Sequence, residues 1–238
     1  MLKKFTKKAL QTWGYRIVKS TTWTDLLPAR RDHLSFALAS VFPSLMCLRL
    51  LQIGANDGSH ADPVSGLIDK YNWSAVFVEG DPRMADLLRE MRGDEARFKV
   101  VNTLISDEDG SAEFYTLKAD KLPAFAQGLG TLSKERIEQA QRDLSEYRPE
   151  IVTRRLECIS MQTFLGAAGC DFDVCVIDVE GLDLSILKWL VAERALPKVV
   201  YYEHACLSKE DAGVSFALLR EQQYNLLVDD SDCVAYRL

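Results

Sequence analysis

LLQIGANDGS, residues 50–59, decides how the rest of the chain is read. An apolar run stops at Gly54, and Asn56, Asp57, Gly58 and Ser59 follow at once. A short apolar run closed by glycine predicts a buried strand entering a tight loop, where glycine takes backbone shapes that cost other residues strain. A dinucleotide-binding loop needs G-x-G-x-x-G, and this loop has G-x-N-x-G with an acid inside it. Asp57 would repel a pyrophosphate. It would not repel a cation.

The strand-and-turn unit recurs along the chain. MCLRLLQI (46–53) predicts the first strand, and Asp62-Pro63 opens a helix to about Tyr71 with an N-cap and a proline at the first helical position. SAVFVE (74–79) is the second strand, and Asp81-Pro82 starts a helix to about Arg92 in the same way. RFKVVNTL (97–104) predicts a third strand, SDEDG (106–110) a turn and AEFYTL (112–117) an added strand. Residues 118–150 break the rhythm, with a glycine-rich loop in AFAQGLGTL and a polar helix in SKERIEQAQRDLSEY. IVTRRLECI returns to strand, Ser160 caps a short helix and Gly169 closes it. DVCVID (173–178) and KVVYYE (198–203) are the fourth and fifth buried strands, with LDLSILKWLVAE a helix between them. Ser208 and Asp211 start a helix to about Gln223, and NLLV and CVAYRL around DDSD form a hairpin.

Alternating strands and helices predict a parallel sheet covered on both faces, with ligands beyond the carboxyl ends of the strands. Carboxylates stand at or just after the first, second, fourth and fifth strands: Asp57, Glu79 with Asp81, Asp178 with Glu180, and Glu203 beside His204. A carboxylate at the end of a second strand can hold both hydroxyls of a ribose. Together with Asp57 this points to a nucleoside that carries positive charge and no phosphate, which describes S-adenosylmethionine. Asp178 and His204 are the candidates for taking a proton from an acceptor hydroxyl. Asp178, Glu203 and His204 could also hold a metal ion, but no diagnostic spacing supports one and none is expected.

LQIGANDGS, VFVEGDP, VVNTLISDEDGSAEFY and VCVIDVEGLDLSILKWL, in that order, resemble the FkbM-type S-adenosylmethionine-dependent methyltransferases over about residues 49–205. The resemblance implies a Rossmann-like class I methyltransferase fold. Its seven-stranded, mostly parallel sheet runs in the order 3-2-1-4-5-7-6, flanked by helices, with strand seven antiparallel. It implies O-methylation of a hydroxyl on a sugar, in a glycan or glycolipid, or on another natural product. By that similarity Gly54, Ala55, Asn56, Asp57, Gly58 and Ser59 embrace the methionine part and Glu79 the ribose. Asp81 lies near the adenosine, with Leu104, Ile105 and Ser106 against the adenine. Asp178 and Glu180 line the region of the transferred methyl, and Glu180 and Glu203 face the acceptor. The family usually carries a lysine two residues before the aspartate of IDVEG, where this chain has Val176.

Bulk properties agree with a domain at 46–238, carrying an acceptor lid at 118–150 and preceded by an extension at 1–45. At 238 residues and 47% apolar content the chain can bury a sizeable core. A net charge of −6 argues against general nucleic-acid binding. Residues 1–20 carry six of the cations and no acid, leaving about −12 on the rest. Leu2, Phe5, Ala9, Trp13 and Ile17 have helical spacing, so this segment reads as a basic amphipathic helix that packs on the domain or touches an anionic membrane surface. Six cysteines without metal spacing, no apolar run of membrane-spanning length and no signal-peptide pattern predict a cytoplasmic protein, with peripheral contact at the inner membrane face as the extension of that reading. Two other classes remain open. One is an NAD-dependent oxidoreductase, and the other a non-catalytic cofactor-binding scaffold in a glycan-assembly complex.

Overall fold

The computed structural model describes residues 30–59, 62–93, 95–123 and 126–238; the amphipathic stretch at 1–20 lies outside them. The apolar run before Gly54 forms β1 (Arg49–Ile53) at the middle of a sheet. It pairs in parallel with β2 (Ser74–Glu79) on one side and β8 (Val174–Ile177) on the other. β3 (Phe98–Asn102) extends the sheet beyond β2, and β9 (Val199–Glu203) extends it beyond β8, both in parallel. The terminal hairpin of β10 (Asn225–Val228) and β11 (Asp232–Tyr236) closes that edge, with β11 antiparallel to β9. Numbered within this sheet alone, the seven strands lie in the order 3-2-1-4-5-7-6.

Strand alternation divides the core into two layers. Leu50, Phe77, Val174, Val176 and Val199 meet Leu34 and Leu38 of α1 (Arg30–Val41), Ile68 of α2 (Ser65–Lys70) and Leu88 of α3 (Pro82–Arg92). Leu51, Ile53, Cys175, Ile177 and Val200 point the other way. They meet Phe164 of α5 (Met161–Ala168), Ile186 and Leu187 of α6 (Asp183–Ala192) and Leu219 of α7 (Lys209–Glu221). The start signals act as expected. Asp81, Ser160 and Ser208 accept from the N–H groups of Arg83, Thr163 and Asp211. Asp62 accepts from Val64 and Ser65, so the helix after it begins at Ser65 rather than at Pro63.

The expected third strand divides at Thr103. Its amide donates to the Glu79 carbonyl, which ends the pairing with β2. The next residues, β4 (Leu104–Ser106), join a second sheet in the order β4-β7-β5-β6. There β5 (Gly110–Lys118) pairs along its whole length with β7 (Glu150–Ser160), and β6 (Gly130–Thr131) lies on its outer edge. The polar helix of the 118–150 segment is α4 (Lys134–Asp143), capped by Ser133. Its Ile137 and Ala140 pack with Tyr115, Leu117 and Leu129 in a small core of their own.

Phe77 is fully buried between β1 and β3, with the Arg92 guanidinium over its ring at 5.2 Å. Phe77→Ala removes that packing and is expected to cost about 4 kcal/mol of unfolding free energy, measured by urea titration.

Candidate active site

The site begins at a close crossing. Gly54 N–H donates to the Val78 carbonyl at 2.9 Å, while Asp178 N–H donates to the Ile53 carbonyl at 2.9 Å. The ends of β1, β2 and β8 are thereby drawn together. Gly54 has a φ of +80°, and a Cβ there would overlap the Asp178 carbonyl oxygen. The loop then turns at Asn56 and Gly58, both left-handed at φ +51° and +74°. Ser59 donates to Asp57 Oδ1 from both its amide and its hydroxyl, which fixes that carboxylate at the turn.

Glu79 braces this loop against the next one. Its Oε2 accepts from the Asn56 amide at 2.8 Å, and its Oε1 accepts from the Asp81 amide at 2.7 Å. The Gly80 amide also bears on this carboxyl, and its two oxygens retain acceptor capacity for a further donor. Burial pushes the Glu79 carboxyl up to about 7, against the pull of those amides.

A cleft of about 240 Å³ opens over these strand ends. Gly54, Asn56, Asp57, Glu79, Ile105 and Asp178 line it, as expected from the sequence, together with Glu180. The sequence reading did not single out Thr103, Arg83, Met84 or Ile186, and it took the Gln127–Gly130 stretch, which roofs this cleft, as part of an acceptor lid. That roof fits closely, since a Cβ on Gly128 would overlap the Asn56 amide, and Arg83 donates to the Gln127 carbonyl at 3.1 Å. It is also tied to the far wall: Thr131 donates to the Glu180 carbonyl, and Arg136 pairs with Glu180 Oε2 at 2.7 Å.

Other expected residues stand elsewhere. Ala55 is buried with the core layer of α1 and α2. Asp81 caps α3, with the Arg154 guanidinium 3.5 Å away. Leu104 lies beneath Gly80, whose hydrogen leaves room for it. Ser106 turns to Asp107 and a separate surface depression. The His204 ring is held by its Nε2 contact with the Asp229 carbonyl at 3.0 Å and by an edge contact with Phe216, and it lines neither this cleft nor the cavity behind it. Signals for the roof were weak in the sequence because its glycines read only as flexibility.

Acids crowd the region beyond Asp178. Glu180 and Glu203 both approach the Cys206 thiol, which donates to Glu203 at 2.9 Å. These three atoms lie within 4.8 Å of one another, a spacing compatible with a metal ion. Asp178 follows the end of β8 and is exposed in the cleft. Desolvation first, and then the charges of Glu180, Asp183, Glu203 and Asp232, hold its carboxyl well above the usual range. Asp183 is wholly buried and pushed up to about 8 for the same reasons.

The cleft suits a donor that bears a ribose and a positive charge. Glu79 offers free lone pairs for hydroxyls, Ile105 and Met84 are apolar surfaces beside it, and Asp57 and Asp178 are acids at the other end. Gly54 and Gly128 leave the space that side chains would fill. Substituting Gly54→Ala is expected to cost roughly 3 kcal/mol, from overpacking and left-handed strain together, read as a lowered denaturation midpoint. The two buried acids give a signed expectation of their own. Their raised values favour the fold while protonated, so this contribution is complete below their ordinary values near 4. It is lost as pH rises through about 7 for Glu79 and about 8 for Asp183. Thermal melts of ligand-free protein across that window should show Tm falling.

The family model for the methyltransferase FkbM domain matches residues 52–226, well over half of the chain. The crystal structure of an FkbM methyltransferase from Methylobacillus flagellatus KT aligns with a TM-score of 0.53 at 14% identity, over 87% of this chain and 48% of that one. This chain therefore spans about half the length of that relative. The precorrin-6y C5,15-methyltransferase of Geobacter metallireducens GS-15 aligns over 94% of each chain, with a TM-score of 0.44 and 12% identity. No curated protein matches. With the sheet order, the glycine crossing and the Glu79 brace in place, the match over 52–226 settles the family: the chain belongs to the FkbM family of S-adenosylmethionine-dependent methyltransferases.

Proposed function

We propose that the protein methylates a hydroxyl, on a sugar of a glycan or glycolipid, with Asp178 receiving the hydroxyl proton. The observation that carries this reading is the position of Asp178. It lines the donor cleft and also a second cavity behind the Gly54–Asn56 loop. A group on that shared wall is within reach of both reacting partners.

When bound, S-adenosylmethionine supplies an electrophilic methyl on a sulfonium. The work of the chain is to align, desolvate and deprotonate. Glu79 fixes the ribose end through the lone pairs left by the Asn56 and Asp81 amides. The Gln127–Gly130 roof limits water over the cleft. Asp178 is raised in the ligand-free protein because acids surround it. A bound cation lowers it again, so the charged, basic form is favoured when the donor is in place. A sugar hydroxyl is a weak nucleophile, and a carboxylate that is more basic than usual suits its proton. His204 lines neither cavity, which leaves Asp178 as the base in this reading.

Asp178→Asn should lower kcat at least 100-fold in a methyl-transfer assay against isolated glycans. Calorimetric affinity for S-adenosylhomocysteine, which lacks the sulfonium charge, should stay within about threefold. Wild-type kcat should fall on acidification, since protonated Asp178 cannot accept the proton, and kcat/KM for the donor, which reports the free protein, should fall at a higher pH than kcat does. Unchanged turnover in the variant would remove Asp178 from the mechanism. Glu79→Gln turns one of two acceptor oxygens into an NH₂ group facing an amide donor. Donor affinity should drop about 10- to 100-fold by the same calorimetry.

A further inference from the structure

Behind the Gly54–Asn56 loop lies a second cavity of about 330 Å³, on the side of the sheet covered by α1 and α2. Two of its lining side chains are polar, buried and incompletely satisfied. Gln52 points inward from the middle of β1 with 4% of its surface exposed, and its Oε1 has no hydrogen-bond partner. Asp62, after the loop, has a side chain only 3% exposed. Its Oδ1 caps the following turn, while its Oδ2 makes no close hydrogen bond and lies 3.9 Å from the Arg92 guanidinium, with the Gln52 side chain against the same carboxyl. Leaving a buried acceptor unpaired costs about 1–3 kcal/mol, so two such atoms on residues of one cavity are met by water or by a ligand that donates to them.

The remaining lining narrows the chemistry. Asp178, Glu203, Asp232 and Tyr201 complete the polar wall, and among the described residues no lysine, arginine or histidine lines it. Asn56 and the Tyr201 hydroxyl can donate, but a phosphate, sulfate or carboxylate meets four carboxyl groups there and no cationic lining side chain, and is repelled. A ring bearing several hydroxyls, each both donor and acceptor, matches such a wall. The cavity shares Gly54, Asn56 and Asp178 with the donor cleft, so a hydroxyl of its occupant can meet the methyl at Asp178.

We infer that this second cavity is the acceptor subsite, and that it takes a sugar unit without an anionic group, held through hydroxyls donated to Gln52 Oε1 and Asp62 Oδ2. The inference rests on the proposed O-methylation and adds the place and polarity of the acceptor. In the transfer the new O–CH₃ bond forms as the C–S bond of the sulfonium breaks. The electron pair stays on sulfur, giving S-adenosylhomocysteine, and the hydroxyl proton passes to the Asp178 carboxylate.

The test is NMR titration of the full chain, saturated with S-adenosylhomocysteine. The probes are methyl glycosides of rhamnose, fucose, glucose, mannose and N-acetylglucosamine, with glucuronic acid and glucose 6-phosphate as anionic counterparts. At least one neutral glycoside should perturb resonances around Gln52 and Asp62, and both anionic sugars should leave them in place. Gln52→Leu removes the orphan oxygen and should weaken that glycoside at least tenfold while raising Tm, which separates lost binding from lost folding. Asp62→Asn keeps the Oδ1 cap, places a donor at Oδ2 and should weaken the glycoside to a similar extent. Affinity for S-adenosylhomocysteine should change less than twofold in both variants. The inference is overturned if no neutral glycoside binds, if the anionic sugars bind as well or better, or if the variants weaken the cofactor product as much as the glycoside. A glycoside that binds as expected but is never methylated would instead overturn the proposed O-methylation and leave the subsite standing.

Discussion

Everything in this site depends on how closely β1 and β8 approach at their carboxyl ends. The approach is possible because residue 54 has no Cβ, and the space one would occupy is taken by the Asp178 backbone. Asp178 is then fixed by its amide to the Ile53 carbonyl, and the loop from Gly54 is fixed by two amides to the Val78 carbonyl. Three strand ends are thereby set relative to one another by backbone bonds. A carboxyl placed this way owes little to side-chain packing and has few ways to move. Glu79 extends the same frame by joining the first and second loops through two amides. Burying that carboxylate would be unfavourable without them.

The same geometry gathers charge. Asp178, Glu180, Asp183, Glu203 and Asp232 all bear on one another, and each carboxyl among Asp178, Asp183 and Glu203 is raised mainly by desolvation and further by its neighbours. An acid cluster of this kind is unfavourable in an empty site and is relieved by a cation. In the proposed reaction the sulfonium and ammonium groups of S-adenosylmethionine provide that relief, so that donor binding and activation of Asp178 are linked in sign. Arg136 offsets part of the repulsion from the opposite side, through Glu180.

Much of this frame was legible in the sequence because it is local. The strand that ends at Gly54, the Asp81-Pro82 and Ser160 caps, and the buried run VCVI are set by neighbours within a few residues. The strand order followed from a resemblance rather than from any periodicity. What escaped notice is non-local. The break at Thr103 is decided by the Glu79 carbonyl and by a strand more than fifty residues away, at Cys158. His204 follows a strand end as a catalytic residue could, yet its direction is set by the hairpin carbonyl of Asp229. Gln52 lies within the run read as an apolar strand, and only the fold brings it to the same cavity as Asp62.

Gln52 and Val176 are adjacent across β1 and β8 and both line the second cavity. A lysine at 176, as in the pattern the chain resembles, would put an ammonium among Asp178, Glu203 and Asp232 and pair with them. Valine leaves these acids to one another, and in the proposed reaction that makes Asp178 a stronger base and the cavity more selective for donors of hydrogen bonds. The departure from the family pattern thus need not mean lost catalysis. It shifts where the compensating positive charge comes from, out of the protein and into the methyl donor.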